Sequence, residues 1–494
     1  VSMPAPGSAW PPPRMAAVYR EMRRDAMWYA GDPDRLATLA DRTETGVEAR
    51  HGRRRFGRQQ PADYPRKRER RLHIPLPGDI ATKSANLLFA DMPTITTPNK
   101  DTNTFLGDAV ETMYLHEVLL GAAEQAAAIS GIFLRLTWDR DIVPDRPIPT
   151  TMQPDNAIPE YTFGVLRAVT FWRELDGGDT QTVYRHLERH EPGRIEHALY
   201  EGTPDNLGRA VPLTEHTETA SLIGSLGPDG VSVETGIKML TATYIPNMTP
   251  HRLHRASPYG RSDYGAPIHD QFASLDDTWT SWMRDIRLAR ARLVVPDGYL
   301  TSLGPGQGAA WDDDREVYSG LNMPPTDNGG LTLAQFKIRV DEHQRTAEAL
   351  TRKAVESAGY SAQSFGLEGG GEAVTATEVN SRDRNSTVTT GRKAGYWRAR
   401  LPDFLLAYQA LAAAQFGARI TPERPKVEFR LAAESEQSKA TTLELYARAG
   451  AVSTATKVKY RSPDMPQEDV EAEVAAILAE TGAGAPDPGD TYPM

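Results

Sequence analysis

The chain has 494 residues, 39% hydrophobic and 25% charged, with 66 acidic against 56 basic side chains and a formal net charge of −10. That length suggests about three domains, and the composition is that of a soluble protein able to bury a large core. Cysteine is absent, which excludes disulfides, thiolate metal sites and cysteine nucleophiles and fits assembly in a reducing cytoplasm. The acidic balance argues against a protein that grips nucleic acid over its whole surface.

The opening VSMPAPGSAWPPPR carries no apolar signal segment. Residues 12–41 read as two short helices around a GDPD turn, with Met15, Val18, Tyr19 and Met22 at helical spacing. Residues 50–71 are strongly basic, with Arg53, Arg54, Arg55, Arg66, Lys67 and Arg68 among them and few aromatics. Such a run is first of all a solvated loop; an acidic partner or nucleic acid is the sharper reading. Helices are expected at Asp79–Ala90 and Asn103–Ser130, then a strand at Ile132–Asp139. The longest apolar stretch, Val118 to Phe133, is broken by Glu124 and Gln125, so no membrane span is expected.

From about residue 160 to 255 the pattern turns to strands and hairpins, with EPGR at 191–194 as a turn. Two seams of 3.5-residue period follow. The first runs Ile268, Phe272, Leu275, Trp279, Trp282, Ile286, Ala289 and Leu293; the second runs Leu333, Phe336, Val340, His343, Ala347, Leu350 and Ala354. Between them lies a Gly-, Pro- and Asp-rich insert with short strands at Leu293–Val295 and Glu316–Tyr318. Two seam helices joined by a small insert predict a projecting hairpin that completes its burial against copies of itself, with a hairpin lying flat on its own domain as the alternative.

Residues 359–374 form a glycine-rich loop containing Gln363, Ser364, Phe365, Glu368, Gly369, Gly370 and Gly371. A long helix is expected to open at Thr375, with Glu378 completing a capping box. If unbroken to Phe416 it would span about 60 Å, with Pro402 as an expected kink. Its first half has almost no apolar face, which places polar residues toward a water-filled space or a neighbour. A strand at Lys426–Leu431 and helices at Gln437–Ala449 and Gln467–Ala479 end the pattern, before a Gly/Pro/Asp-rich tail.

The chemistry the sequence lacks narrows its function. There is no GxxxxGK[ST] phosphate loop and no GxSxG nucleophile elbow. Asp312, Asp313 and Asp314, beside Trp311, are consecutive and point in different directions, so a solvated acidic turn outweighs a cation site. His186 and His190 share a strand face about 13 Å apart, and with His197 they read as surface histidines rather than a zinc site. No active site, metal or cofactor is expected.

Several stretches, in order, resemble the portal proteins of tailed bacteriophages, the head-to-tail connector family. They are WYAGDPDRL (28–36), IPLPGDIATKSANLLFADMPTI (74–95), GRSDYGAPIHDQFASLDDTWTSWMRDI (260–286), TATEVNSRDRNSTVTTGRKAGYW (375–397) and AGAVSTATKVKYRSPDMPQEDVEAEVAAILAE (449–480). The sequence departs from the family at Glu-Ala-Val-Thr (372–375), where Ser-Gly is common near the start of the long helix.

The resemblance implies an α+β, mainly helical portal fold with wing, stem, clip and crown, forming a dodecameric ring. On it, 1–265 and 375–431 would be wing, 266–292 and 331–358 stem, 293–330 clip, 359–374 tunnel loop, and 432–494 crown and tail. Phe272, Leu275, Trp279, Trp282, Ile286, Phe336, Val340 and Leu350 would pack the stem. Trp311 and Asp312–Asp314 would dock partners, and the arginines of 50–71 would face capsid or a neighbouring subunit. The implied partners are further copies of the chain, terminase, a head-tail adaptor, the major capsid and scaffold proteins, and double-stranded DNA passing non-specifically, with no membrane. The implied place is a capsid vertex of the virion, assembled in the host cytoplasm. A metal-dependent nucleic-acid-processing enzyme, or a virion adaptor that forms no ring, stands as the alternative.

Overall fold

The computed structural model describes residues 3–38, 72–178, 181–265, 267–289, 292–294, 301–302, 309–310, 332–334, 338–367, 383–429, 436–462, 465 and 467–481. The chain divides into two compact units, 1–429 and 430–494. The described residues are mixed α and β, and every strand pair among them is antiparallel.

The first unit begins with helix α1 (Pro13–Ala30), which buries Met15, Val18, Tyr19, Met22 and Trp28 at helical spacing and stops at Gly31 in the left-handed region. Helix α2 (Leu76–Phe89) follows, as expected. Strand β1 (Thr94–Thr96) leads to α3 (Lys100–Thr112), whose Asn99 cap accepts from the Asp101 and Thr102 amides. The single helix expected over 103–130 is in fact two. It breaks at Met113–Tyr114, where Tyr114 takes φ 49°, and resumes as α4 (Leu115–Ile129). Periodicity bridges such a break because Leu106 and Ala109 before it and Leu115 after it line one apolar cavity with Phe404 and Tyr408.

Strands β2 (Gly131–Thr137), β3 (Ile148–Met152) and β10 (Ala242–Pro246) form a small sheet in the order β10-β2-β3. Gly131 is required there, since a Cβ would lie 2.7 Å from the Ile245 carbonyl oxygen. The larger sheet joins β4 (Ala157–Thr162), β5 (Val165–Leu175), β6 (Val183–Glu191), β7 (Arg194–Thr203) and β8 (Asn206–Val211) in sequence order. Strand β9 (Ser232–Glu234) also pairs with β7. The EPGR turn joins β6 to β7, with Glu191 opposite Arg194. The period of two puts His186, Glu188 and His190 on one face of β6 and Arg185, Leu187 and Arg189 on the other. Both faces are covered, the second by the N-terminal segment, whose Trp10 meets Trp172 edge-on and lies under the Arg185 guanidinium.

Helices α5 (Ile268–Leu288) and α6 (Val340–Ala358) are the two seam helices, and the long α7 (Arg384–Phe416) passes through Pro402 without ending. It measures about 50 Å at 1.5 Å per residue. Strand β15 (Lys426–Glu428) pairs with β1. The main core draws on α1, α2, α4, β2, the roots of α5 and α6, and Tyr360.

The second unit holds α8 (Glu436–Arg448), α9 (Thr454–Arg461) and α10 (Gln467–Thr481). The middle helix was not expected. Its signal is Ser453, whose hydroxyl caps the Thr456 amide at 3.2 Å.

Candidate functional site: a helical hairpin on a buried polar root

Helices α5 and α6 lie antiparallel and continue beyond their ends into a strand pair, β11 (Arg292–Val294) with β14 (Thr332–Ala334). Leu333 therefore belongs to a strand, which corrects the expected start of the second helix from 331 to Val340. Strand formation at Arg292–Val294 matches the expectation for Leu293–Val295 to within a residue. A second short pair, β12 (Thr301–Ser302) with β13 (Ala309–Ala310), lies in the insert.

The hairpin changes character along its length. At the root, Phe272 and Leu275 are fully buried in the chain's own core, with Trp279 and Leu350 packed beside them. Midway, Trp282 lies flat against His343, ring centroids 6.0 Å apart and planes 9° apart. There Asp285 accepts from Arg339 at 2.9 Å and lies 3.0 Å from His343 Nε2. Near the far end Ile286 and Val340 are left 41% and 42% exposed. The seam thus serves two purposes: its lower half seals the chain's own core, and its upper half offers apolar side chains outward.

The root is held by buried polar groups. Lys393 on α7 donates to Asp263 Oδ2 at 2.6 Å, Ser84 Oγ at 2.7 Å and the Tyr360 hydroxyl at 2.9 Å. The Tyr360 hydroxyl itself donates to Asp263 Oδ2 at 2.9 Å, and Asn247 Nδ2 donates to Oδ1 at 2.8 Å. Burial pulls the Lys393 ammonium below its ordinary range, and Asp263 opposes that pull. Asp263 precedes α5, Tyr360 follows α6, and Ser84 sits on α2, so one lysine ties four segments together.

The first half of α7 is polar because this contact is polar. Ser386, Thr389, Thr390 and Lys393 are buried against the chain itself, which corrects the expectation that these residues face water or a neighbour. Thr389 donates to the Gly359 carbonyl at 2.6 Å, and Thr390 to Ser386 O at 2.7 Å. Sequence reasoning missed this hub. The available signal was the spacing Ser386, Thr390, Lys393, Trp397, Leu401, which extends the apolar seam backward into polar residues at steps of four and three.

Of the expected loop residues, Gln363, Ser364 and Phe365 form one tight helical turn rather than an open loop. Ser361 and Ser364 both donate to Asp383 Oδ1, the first at 2.5 Å. Phe365 packs on the core beside Tyr360. The two flanks of the segment 368–382 are thereby pinned together by Ser361, Ser364, Asp383 and Ser386. Glu368, Gly369, Gly370, Gly371, Phe336, Trp311, Asp312–Asp314 and the basic residues Arg53–Arg55 and Arg66–Arg68 lie outside the described residues, as do the Thr375 cap and the strand Glu316–Tyr318.

The histidines are not on the surface. His186 and His190 are buried, and His186 Nε2 lies 3.1 Å from His197 Nδ1. Their planes are 8° apart with centroids 5.3 Å apart, the geometry of two rings joined edge to edge by an N–H···N bond. His190 is held between Glu188 at 2.8 Å and Thr241 at 2.6 Å. Among the described residues no group of three or more histidines or acids is arranged to hold a metal ion, and no helix is long and apolar enough to cross a membrane.

No family model matches the sequence, and no curated protein matches it. Solved structures do. The chain resembles components of gene transfer agent particles. A chain of the native gene transfer agent virion is 12% identical at TM-score 0.41, over 92% of this chain and 96% of that one. A chain of the native particle's neck, with C12 symmetry, is 13% identical at TM-score 0.38, over 79% and 90%. One from the neck of the empty particle, with C6 symmetry, is 13% identical at TM-score 0.40, over 78% and 90%.

Proposed function

We propose that the chain is a portal protein: a structural component of a phage-like virion that forms a ring-shaped channel at one capsid vertex. DNA would be packaged and released through it, and terminase and then a head-tail adaptor would dock on it in turn. The observation that carries this reading is the hairpin of α5 and α6, rooted in the core at Phe272 and Leu275 yet exposing Ile286 and Val340 farther out. A narrow apolar seam left partly uncovered is completed by lateral packing against copies of the same element. The ordered sequence resemblance across 28–480 supports the same reading.

In this arrangement α5 and α6 form the stem, 293–330 the clip, and 359–374 the channel loop, while 432–494 forms the crown. The chain performs no chemistry in the process; a separate motor supplies the work. The loop segment from Ser361 to Val374 holds no lysine or arginine, so few phosphates are neutralised there and passing DNA is held weakly. Asp383, which accepts from Ser361 and Ser364, fixes the loop's base.

Particle assembly with and without this chain tests the proposal. Capsids lacking it are expected to contain no DNA, and supplying the chain in trans restores packaging. Full packaging without it contradicts the reading.

A further inference from the structure

Among the described residues, three arginines near the hairpin root stand without a carboxylate. The backbones of Arg261 and Met248 pair as an isolated antiparallel bridge, with the Arg261 amide on the Met248 carbonyl at 2.8 Å. Next to it, the Thr249 carbonyl accepts from Arg392 Nη2, and Arg392 Nε reaches the Tyr396 hydroxyl at 3.1 Å. Arg252 lies three residues past Thr249. Arg252 and Arg392 are exposed and Arg261 is half-buried. The Nε of Arg261 is sealed from solvent and has no acceptor among the described residues.

Elsewhere the chain pairs its buried or half-buried arginines: Arg135 with Glu188, Arg185 with Glu174, Arg189 with Glu160. Among the described residues Arg252, Arg261 and Arg392 have no such partner. Carboxylates are in surplus, 66 acidic against 56 basic side chains, so the absence is not a shortage. The nearest acid in sequence, Asp263, is already saturated by Lys393, Tyr360 and Asn247. Burial and the charges of Arg252 and Arg392 pull the Arg261 guanidinium below its ordinary value, with Asp263 opposing. Clustered like charges with an orphaned buried donor are a cost that a bound anion removes.

We infer that Arg252, Arg261 and Arg392 form a phosphate-binding cluster that contacts the backbone of DNA, an inference that rests on the channel reading for the source of the phosphate. Three guanidiniums call for more than the single charge of one carboxylate. Successive phosphodiesters supply it, at about one charge per 1.7 Å of duplex, and the guanidinium fork matches phosphate oxygens in pairs. Arg392, held by the Thr249 carbonyl and the Tyr396 hydroxyl, is pre-aimed rather than free to wander. The cluster supplies a fixed point of grip, in contrast to the loop's lack of cations.

The test is anisotropy of a labelled DNA duplex titrated with the full chain over a range of salt. Each arginine that neutralises a phosphate contributes about 0.9 to the slope of log affinity against log salt, so the three together contribute about 2.7 for each protomer in contact. The triple variant R252Q/R261Q/R392Q is expected to lose that slope, whereas the triple lysine variant keeps most of it. Arg252→Gln alone, at an exposed position, is expected to lose about 0.9 and guards against misfolding of the triple variant. Equal slopes for wild type and both glutamine variants overturn the inference, as does absence of DNA binding at the lowest salt. Loss of self-association with DNA binding unchanged also overturns it and assigns the cluster to a carboxylate of a second copy. Particle size is measured in the same samples: rings with an unchanged slope sink the cluster alone, while a lost slope without rings sinks the channel alone.

Discussion

Lys393 Nζ and Asp263 Oδ2 meet 2.6 Å apart, with side chains 2% and 1% exposed and positions 130 apart in the chain. All three ammonium protons have acceptors, and the carboxylate accepts from Lys393, Tyr360 and Asn247. The pair therefore sets the position of α7 relative to the two helices of the hairpin.

Breaking that pair is expected to be expensive. Lys393→Met or Asp263→Asn leaves a buried polar group short of its partner, at about 3–5 kcal/mol for each. The double variant should lose less than the sum, because the partners act together. Urea unfolding of the four proteins measures this, and additive losses would mean the two groups are not coupled.

Acid sensitivity follows from the histidine cluster. Burial pushes His186 down to about 3, with His197 adding to the effect, and burial also lowers His190 and His197. Against the burial that would raise it, Arg135 and His190 hold Glu188 well below the carboxylate range. The unfolded chain binds protons near the ordinary histidine value of about 6.5, whereas the folded chain does not. Stability is thus full above that value and falls as the pH drops through it toward 3. Thermal midpoints measured at decreasing pH should decline, and H186Q/H197Q should flatten the decline. A midpoint unchanged between neutral and pH about 5 would contradict the assignment.

The two halves of the hairpin seam should separate experimentally. Phe272→Ala removes a side chain buried in the chain's own core and should cost about 3–5 kcal/mol. Ile286→Asp, at an exposed position, should leave unfolding of the isolated chain nearly unchanged while weakening self-association. Size-exclusion chromatography beside denaturant melts reads both, and normal assembly by the Ile286 variant would remove the seam's upper half from the interface.

Deleting Gly369–Gly371 is expected to impair DNA packaging or retention while assembly persists. Ordinary packaging and retention in the deletion would rule out this loop as the channel lining.

How much of this was legible beforehand depended on whether a signal was local. The hairpin was legible because Phe272, Leu275, Trp279 and Trp282 repeat at steps of three and four. Strands β5, β6 and β7 were legible from their residue pattern and the turn at 191–194. The break at Tyr114 was not, since nothing in a tyrosine announces a positive φ. Nor was the burial of Ser386 and Lys393, whose partners Ser361, Tyr360 and Asp263 lie far off in sequence. Polar residues at helical spacing look solvated until their acceptors are found. The histidines misled for a related reason: the alternation that places His186 and His190 on one face says nothing about whether that face is covered.

The most direct test of the channel is the mass of the purified chain in solution. Twelve copies of the 54.3 kDa chain give about 650 kDa, and native mass spectrometry at low micromolar concentration should find that species or a neighbouring ring size, with images showing a central hole. A single species at 54.3 kDa at every concentration would contradict the account.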